Sequence, residues 1–408
     1  MDDDNSIGRR IAHQRKWHGL TQQALARKVG ISESLLAKVE RGSREASQQV
    51  VAGVARVLGL DIADLTGQPY FRRGQQPDRV HKAMPTLRRA LAYWDMPPEL
   101  ETAPRAQDEV AADALRLSKL RQLDRNVEVA EKLPPLLLEA IALYHEEPPE
   151  PQRTALVDII ATLLHAAHSV SYKLGYEDFS VVVEDRIQWL STQGHEPMLS
   201  AFSDWVRTNS LMRMGDYSTG LRILDRARAG IDPGGSDDPG ALRMLGSLHL
   251  RASIIAARDN RSLEATAHIA EARQIATHQS FDHDGDWRNL GFGPTNAAIH
   301  AVATAVESGD GPAALTLGDQ VRIPEEWLRR LPTRVGHHYL DLSRAQFWQG
   351  HHEDALASLD KARRVAPQQT RHHPTTHEVT RLLVRAHKRS NEPLTRFTTW
   401  LGEPLAAQ

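Results

Sequence analysis

Apolar residues between positions 6 and 66 recur at intervals of three and four, which is the spacing of one face of an α-helix. In the first run, Ile7, Ile11 and Trp17 form the predicted inward face. Each run follows a residue whose side chain can cap a helix N-terminus, and Gly30 separates the second run from the third. The five predicted caps are Ser6, Thr21, Ser32, Ser47 and Asp61. The pattern predicts five short helices in a compact N-terminal domain.

Residues from about 108 to the end show the helical spacing again, without a convincing strand. Short turn sequences interrupt this region about every 40 to 50 residues. These turns are Leu-Gly-Tyr-Glu from residue 174, Met-Gly-Asp-Tyr from 214, Arg-Asp-Asn-Arg from 258, Ser-Gly-Asp-Gly from 308 and Gln-Gly-His-His from 349. The spacing predicts a ladder of helical hairpins, each of which buries its apolar face on the next. The predicted fold class is therefore all-α, with the five-helix domain followed by an α-solenoid.

Two clusters of turn-forming residues lie between these regions, at 66–78 and 96–108. Residues 79–94 between them have a helical pattern that does not indicate which region they pack on. The predicted domains are 1–66, a linker with one helix at 67–108, and a repeat domain at 109–408. The segment 281–296 is the longest break in the ladder. It is either a loop that closes over a ligand or an insertion between irregular repeats.

A specific motif occupies the second and third predicted helices, "GLTQQALARKVGISESLLAKVERG" from residue 19. Together with Arg15 upstream and "VVAGVARVLGLDIADL" downstream, it resembles the xenobiotic-response-element family of Cro/C1-type and phage-repressor helix-turn-helix domains. The resemblance covers about residues 6 to 66. It implies that residues 33–41 form a recognition helix for the major groove of DNA, while the preceding helix crosses the phosphate backbone. It also implies a structural ion pair between Arg15 and Glu40.

The same resemblance implies roles for individual residues. Glu33, Ser34 and Lys38 are candidates for base contacts, since a glutamate can accept from cytosine and a lysine can donate to guanine. The candidates for phosphate contacts are Gln22, Arg41, Ser43 and Arg44. Two alternatives stay open. Glu33 is equally compatible with a carboxylate that only stabilises the first helical turn, and the arginines are compatible with a solvated surface.

The second half of the chain resembles tetratricopeptide repeats at two places. The better match comprises Tyr339, Leu342, Gly350, Ala355, Leu359, Ala362 and Pro367. The other comprises Gly215, Tyr217, Gly220, Leu224, Ala227 and Pro233. The remaining units are irregular and longer than the family's repeat of about 34 residues, so the repeats are degenerate. The whole layout resembles actinobacterial regulators that join this DNA-binding domain to a tetratricopeptide-like body.

In such arrays the first helix of each hairpin lines a concave groove. Alignment of the repeats on their turn glycines places a set of polar, aromatic and apolar residues in this groove. The set comprises Trp205, Asn209, Met212, Asn296, His337, Leu340, Arg344 and Phe347. Amide and guanidinium groups can bind a peptide backbone or a carboxylate, with aromatic rings for apolar contact. The alternative is that these side chains bind nothing and only fill or solvate the superhelix.

Charge is divided unevenly along the 408 residues. Residues 5–74 contain 12 Lys or Arg and 5 Asp or Glu, whereas the whole chain has a net charge of −2. A basic module on an acidic body is the arrangement expected when one end alone binds phosphates. The start is acidic, and no uninterrupted apolar run approaches the length of about 18 residues that spans a bilayer. We therefore expect a cytoplasmic protein, associated with the nucleoid when bound to DNA, and no membrane partner.

The sequence offers little for catalysis. It contains no cysteine and 20 histidines, several in adjacent pairs, but no metal-binding motif with a recognisable third ligand. His165 and His168 are expected to be satisfied within a helical core. No phosphate-binding glycine loop or nucleophile motif is present either. The sequence therefore predicts no metal, no cofactor and no enzymatic activity.

Together these features predict a sequence-specific transcriptional regulator that binds a double-stranded DNA operator. A homodimer is expected, because one recognition helix reads only a few base pairs and two helices about 34 Å apart read a two-fold site. The body is expected to dimerise, to sense a peptide or small-molecule signal, or both. The alternative is a protein- or peptide-binding scaffold in which DNA binding is secondary.

Overall fold

The computed structural model describes residues 6–70, 79–96, 98–193, 197–231, 238–278, 290–387 and 391–402. Every regular element in these ranges is helical, so the all-α prediction is confirmed. The chain forms an N-terminal helix-turn-helix unit, called the head below, followed by a region of helical hairpins, called the body. Most of the predicted loop at 281–296 lies outside the described residues, as does most of the predicted linker at 66–78.

The head contains the five predicted helices. They are α1 (Ile7–Trp17), α2 (Gln22–Val29), α3 (Glu33–Glu40), α4 (Gln48–Leu58) and α5 (Ile62–Thr66). Each of the five predicted caps precedes its helix, and the side chains of Ser6, Thr21, Ser32 and Ser47 accept a hydrogen bond from a backbone N–H of the first turn. At Asp61 the backbone N–H donates to Asp64 Oδ2 at 3.2 Å. Ile7 and Ile11 are buried in the head core, but Trp17 is 79% exposed. The inward prediction for Trp17 was wrong because this residue ends α1, beyond the part of the helix that packs.

Helix α6 (Arg79–Ala90) follows the head and is succeeded by a short 3-10 turn at Leu91–Tyr93. It packs on α8 (Asn126–His145), beside α7 (Gln107–Gln122). Val80, Met84 and Leu87 are buried in the largest hydrophobic core, which belongs to the body. The packing of α6 therefore answers the question that the sequence left open, since this helix lies on the body.

The body continues as five hairpins. They are α9 (Gln152–Leu174) with α10 (Glu177–Gln193), α11 (Pro197–Met214) with α12 (Tyr217–Ala229), α13 (Pro239–Arg258) with α14 (Ser262–Thr277), α15 (Pro294–Glu307) with α16 (Gly311–Gln320), and α18 (Pro332–Trp348) with α19 (His352–Val365). The short helix α17 (Glu325–Arg330) precedes the last pair. Each hairpin turns at a residue with a left-handed backbone, namely Gly175, Gly215, Asn260, Gly309 and Gly350. These are the five turns that the sequence predicted.

Three helices close the C-terminal end of the body. They are α20 (Pro367–His372), α21 (Pro374–Ala386) and α22 (Glu392–Leu401). Phe397 and Val379 are buried there together with apolar residues of α19, forming a separate hydrophobic core. This core holds the end of the solenoid against α18 and α19.

One described helix, α9, is long and apolar enough to cross a membrane, with a mean hydropathy of 1.3 over its most apolar window. The sequence does not mark this helix, because it contains no uninterrupted apolar run of that length. However, 72% of that window is buried inside the body. Length and composition alone are weak evidence, because the core helix of a packed helical domain satisfies the same criterion.

The head packs against the body. Helix α4 lies on α11, and Arg56 Nη1 donates to the carbonyl oxygen of Gly215 at 3.0 Å. Beyond α5, Gln68 Nε2 donates to the carbonyl oxygen of His372 at 3.2 Å. These contacts place the head over the inner side of the hairpins.

Candidate DNA-binding surface and interdomain cavity

Helix α3, the predicted recognition helix, presents a polar outer face. Leu36 and Val39 are buried in the head, whereas Glu33, Ser34 and Lys38 are exposed. Ser34 and Lys38 are four residues apart, so they share one face of the helix. The contact with the body leaves all three side chains accessible. The candidate base-contacting residues therefore form one free surface.

The residues that follow α3 hold its C-terminal end. Arg41 Nε donates to the carbonyl oxygen of Ala37 at 3.1 Å, and Ser43 Oγ donates to that of Lys38 at the same distance. Arg44 is exposed, but its guanidinium lies over the ring of Trp348, 5.7 Å from the ring centroid. Of the three phosphate candidates at this end of α3, Arg44 thus also contacts the body.

A buried ion pair fixes α3 relative to α1. Arg15 Nε donates to Glu40 Oε1 at 2.6 Å, and Arg15 Nη2 donates to Glu40 Oε2 at 2.9 Å. Gln22, the first residue of α2, donates from Nε2 to the same Glu40 oxygen at 2.7 Å. The predicted structural role of Arg15 and Glu40 is consistent with this geometry. Gln22 keeps one amide N–H for a phosphate.

A second buried network joins the head to the body, and we call it the seam. Arg344 Nε lies 3.2 Å from Glu45 Oε1 of the head, and Arg344 Nη1 donates to Glu307 Oε1 at 2.8 Å. Arg258 Nε completes the network by donating to Glu307 Oε2 at 2.9 Å. The side chains of Arg344 and Glu45 are only 3% and 5% exposed. The seam therefore links three helices of the body, α13, α15 and α18, to the loop between α3 and α4.

The two carboxylates of the seam differ in their pKa. Burial raises the pKa of both, but at Glu307 the two arginines outweigh burial and lower the pKa to about 2. At Glu45 burial prevails over Arg344, and Glu307 adds repulsion, so the pKa of Glu45 rises to about 7. Glu307 is thus firmly ionised, whereas Glu45 takes up a proton close to neutral pH. The ion pair between Glu45 of the head and Arg344 is therefore the weakest of the ion pairs in the seam at neutral pH.

Next to the seam lies a cavity of about 260 Å³. Gln48, Ile62 and Gln68 line it from the head side. The first helices of all five hairpins contribute the body side. Of the eight residues that the repeat register placed in a groove, six line this cavity, namely Trp205, Asn209, Met212, Asn296, His337 and Arg344.

Leu340 and Phe347 are the exceptions. Leu340 is buried in the C-terminal core. Phe347 lies near the end of the same helix. Its ring stacks on that of His352, with 5.0 Å between centroids, and it packs on the C-terminal core. The prediction for Phe347 was wrong because the end of α18 faces α19 and the C-terminal helices at this level. Arg344 was predicted to face a ligand, but its guanidinium forms ion pairs with the two seam carboxylates, Glu45 and Glu307.

The two predicted groove asparagines are bound differently. Asn209 Nδ2 donates to the carbonyl oxygen of Val206 at 2.8 Å, and its Oδ1 accepts from Arg251 Nη1 at 2.6 Å. Asn296 Nδ2 donates to the carbonyl oxygen of Gly291 at 2.8 Å. Asn209 therefore orients Arg251, and both amides use one donor within the body.

The head matches known sequences. Residues 11–65 match the family model described as a helix-turn-helix, HTH_3. An HTH-type transcriptional regulator of Bacillus subtilis, YazB, named as uncharacterised, is 41% identical over 58 residues, which are 14% of this chain and 84% of that one. The immunity repressor protein of Bacillus phage phi105 is 33% identical over 97 residues, which are 22% and 67% of the two chains.

The chain belongs to the helix-turn-helix family of transcriptional regulators.

A third relative of this helix-turn-helix regulator is MJ0272 of Methanocaldococcus jannaschii, also named as an HTH-type transcriptional regulator. It is 30% identical over 56 residues, which are 14% of this chain and 85% of that one. Among solved structures, Bacillus thuringiensis PlcR, in complex with the peptide PapR7 and DNA, aligns over 67% of this chain and 95% of that chain. The identity is 13% and the TM-score 0.28. At that score the function of the body rests on its own residues.

The sequence reasoning missed most of the charged residues of the cavity. Four of them stand two residues before successive hairpin turns, and these are Lys173, Arg213, Arg258 and Glu307. A charged residue at the same position of successive units was therefore a visible signal. The register that identified Asn296 also selects Ser247 and Ile254 in α13, which line the cavity as well.

Two histidines that the sequence placed in a helical core, His165 and His168, lie within the described part of the chain. Among the described residues, no group of three or more His, Asp or Glu side chains is arranged to hold a metal ion. His168 Nε2 lies 2.9 Å from Glu184 Oε1, and the ring of His165 contacts that of Phe202 with 4.9 Å between centroids. Both histidines are buried with partners inside the body core. The family relatives are regulators, which agrees with the prediction of a non-enzymatic role.

Proposed function

We propose that this chain is a sequence-specific, homodimeric transcriptional regulator whose body senses a peptide or small-molecule signal. Residues 1–66 would bind the DNA operator, 67–108 would connect, and 109–408 would form the sensing and dimerising repeat domain. One observation supports signal sensing above all, namely that a single cavity is lined by the head and by the first helix of every hairpin. A ligand in that cavity touches both parts at once.

In the proposed readout, Glu33, Ser34 and Lys38 contact base edges in the major groove, while Gln22, Arg41, Ser43 and Arg44 hold phosphates. While the head is docked on the body, the outer face of α3 stays exposed, which supports this assignment. Docking does not have to be broken for the recognition helix to enter a groove. It instead fixes the angle at which α3 is presented.

The seam supports the proposed coupling. Arg344 lines the cavity and also binds Glu45 of the head. A ligand that shifts Arg344 therefore changes how firmly the head is held. In a dimer, this would alter the spacing of two recognition helices, which must lie about one helical turn of DNA apart.

Selection of bound fragments from sheared genomic DNA tests the DNA-binding part. The full-length protein is compared with Lys38→Ala and with Lys119→Ala, a matched loss of one exposed lysine in α7 of the body. We expect a two-fold motif that Lys38→Ala relaxes and Lys119→Ala leaves intact, with binding that weakens steeply as salt rises.

Sedimentation of the protein on the selected DNA tests the oligomer. Two protomers are expected on each two-fold site. Binding of only one protomer to such a site would exclude the dimer. Recovery of no motif would instead favour a scaffold in which DNA binding is secondary.

A further inference from the structure

Three cations face the cavity from different helices. Lys173 lies on α9, Arg251 on α13 and Arg334 on α18, and all three line the cavity. Within the described residues, none of them has a carboxylate at ion-pair distance, unlike Arg213, Arg258 and Arg344, which bind glutamates. Arg251 donates only to the neutral amide of Asn209 and lies over the Trp205 ring, 4.5 Å from its centroid.

The carboxylates of the cavity offset these cations only in part, and Asp341 is the one that attracts Arg334. Glu307 is held by two arginines of the seam. Asp341 also lines the cavity, but burial raises its pKa to about 7, and Glu307 and Glu45 add to the rise against Arg344. Asp341 is therefore only partly ionised at neutral pH. The cavity retains a positive excess.

The three cations also affect each other. Burial lowers the pKa of Lys173 to about 8 against the attraction of Asp124, and that of Arg251 to about 10, and the charge of Arg334 contributes to both shifts. Burial also lowers the pKa of Arg334, against the attraction of Asp341. Enclosed like charges raise the free energy of the folded protein, and an anion placed among them relieves this cost.

The surrounding histidines add no further charge. His300, His337 and His373 line the same cavity, and burial lowers the pKa of each. They are neutral at physiological pH, so each ring carries a single N–H. His300 donates its Nδ1–H to the carbonyl oxygen of Asn296 at 3.0 Å, whereas His373 Nδ1 accepts from the backbone N–H of Thr375 at 3.2 Å, which leaves its Nε2–H as a donor. A ligand with anionic oxygens would meet charged donors from three helices and a neutral donor from His373.

We propose that the cavity binds a small compound with two or more anionic oxygens, carried on carboxylate or phosphate groups, between Lys173, Arg251 and Arg334. This assignment rests on the proposed sensing role of the cavity and specifies the chemistry of the signal. A volume of about 260 Å³ suits a small metabolite, because typical ligand pockets occupy roughly 300–1,000 Å³.

The test uses the full-length protein and four probes. Propane-1,2,3-tricarboxylate and pyrophosphate represent the two sources of anionic oxygen, propane-1,2,3-tricarboxamide is the uncharged match of the first, and sodium chloride at equal ionic strength controls for screening. Isothermal titration calorimetry should show saturable binding of one equivalent of at least one anion, and none of the amide. The tighter anion identifies the carboxylate or the phosphate source.

Variants locate the binding. Arg334→Gln and Lys173→Gln should each weaken anion binding by about tenfold or more. Each should also raise the melting temperature of the protein without anion, since it removes an enclosed like charge. A residue with a merely structural role would lower it. Lys119→Gln, on the surface of the body, should change neither quantity.

The outcomes separate this inference from the proposed function. If neither anion binds at millimolar concentration, or if Arg334→Gln and Lys173→Gln bind the anion as well as the unmodified protein, the anion site is wrong, whatever the DNA selection shows. If an anion binds as expected but no DNA motif is recovered, the site stands and the regulator proposal fails. Amide binding equal to that of the tricarboxylate would also overturn the inference.

Discussion

The chain carries positive charge in two places with opposite solvent exposure. On the head, Lys38 in α3 and Arg41 at the C-terminal end of this helix are exposed. In the body, Lys173, Arg251 and Arg334 are only partly exposed and line the cavity between the hairpins. The first group is hydrated and screened by salt, whereas burial lowers the pKa of each member of the second.

The difference shows how the same residue types serve two kinds of recognition. Exposed cations carry little desolvation cost and can bind any polyanion, so sequence discrimination must come from a few base contacts. Enclosed cations are unfavourable until an anion of suitable size fills the space between them. The exposed cations of the head therefore attract DNA over a long range, whereas the cations of the cavity select an anion by its size and charge. The seam, with Glu45 and Arg344, lies between the two regions.

The largest effect is expected at the seam. Arg344→Met should lower the free energy of unfolding by about 3–5 kcal/mol, because it leaves Glu307 and Glu45 buried with one arginine fewer. Urea denaturation at pH 7 measures it. The control is Arg364→Met on α19, whose side chain is 74% exposed and pairs with Asp360. A loss below 1 kcal/mol for Arg344→Met would show that the buried network does not hold the head.

Glu45 should make stability depend on pH. Its pKa rises from an ordinary 4.5 to about 7 in the folded protein, so folding takes up a proton and stability falls as pH rises through this interval. Glu45→Gln removes this dependence. It should be close to neutral at pH 5 and more stable than the unmodified chain at pH 8, by up to roughly 3 kcal/mol.

Melting temperatures at several pH values measure the difference between the Glu45→Gln variant and the unmodified chain. Glu271→Gln, at an exposed position of α14, is the control and should give the same difference at pH 5 and pH 8. A difference for Glu45→Gln that shrinks with rising pH would contradict the assigned direction.

On the head, two substitutions should separate base from phosphate contacts. Lys38→Ala should cost about 1–3 kcal/mol on the selected motif and little on random DNA. Arg41→Ala should weaken both equally and reduce the slope of log affinity against log salt by about one unit. Fluorescence anisotropy over a salt series gives both values. Equal loss on both DNAs for Lys38→Ala would remove it from the base-contacting set.

The smallest effect is expected from an exposed ion pair. Arg79 Nη2 lies 2.8 Å from Glu131 Oε2, with the two side chains 73% and 37% exposed. A double-mutant cycle with alanine at both positions should give a coupling free energy below about 1 kcal/mol. A larger coupling would mean that exposure is a poor guide to the strength of ion pairs in this protein, and would weaken the contrast between its surface and its interior.

The local features of the fold were readable from the sequence. Thr21 and Ser32 cap their helices through hydrogen bonds to backbone groups three residues away, so their partners lie within the same short stretch. The five hairpin turns were visible for the same reason, since a left-handed backbone favours glycine or asparagine. The repeat register then selected six of the residues that line the cavity. Phe347 was misplaced because the register does not say where the solenoid ends.

The charge arrangement could not be predicted in this way. Glu45 and Arg344 are 299 residues apart, and nothing in either local sequence identifies the other as a partner. Lys173, Arg251 and Arg334 are unremarkable basic residues until three helices bring them to one cavity. Whether α6 packs on the head or on the body was equally undecided, because its apolar face fits either.

The sequence by itself thus determined the helices, their caps, the turns between them and the identity of the DNA-binding head, because these depend on neighbours within a few residues. Only the tertiary structure decided that the head rests on the body, that Arg344 is shared between them and that one cavity collects unpaired cations. Burial and electrostatic interaction depend on distance in space, and the chain reveals those distances only once its hairpins have stacked.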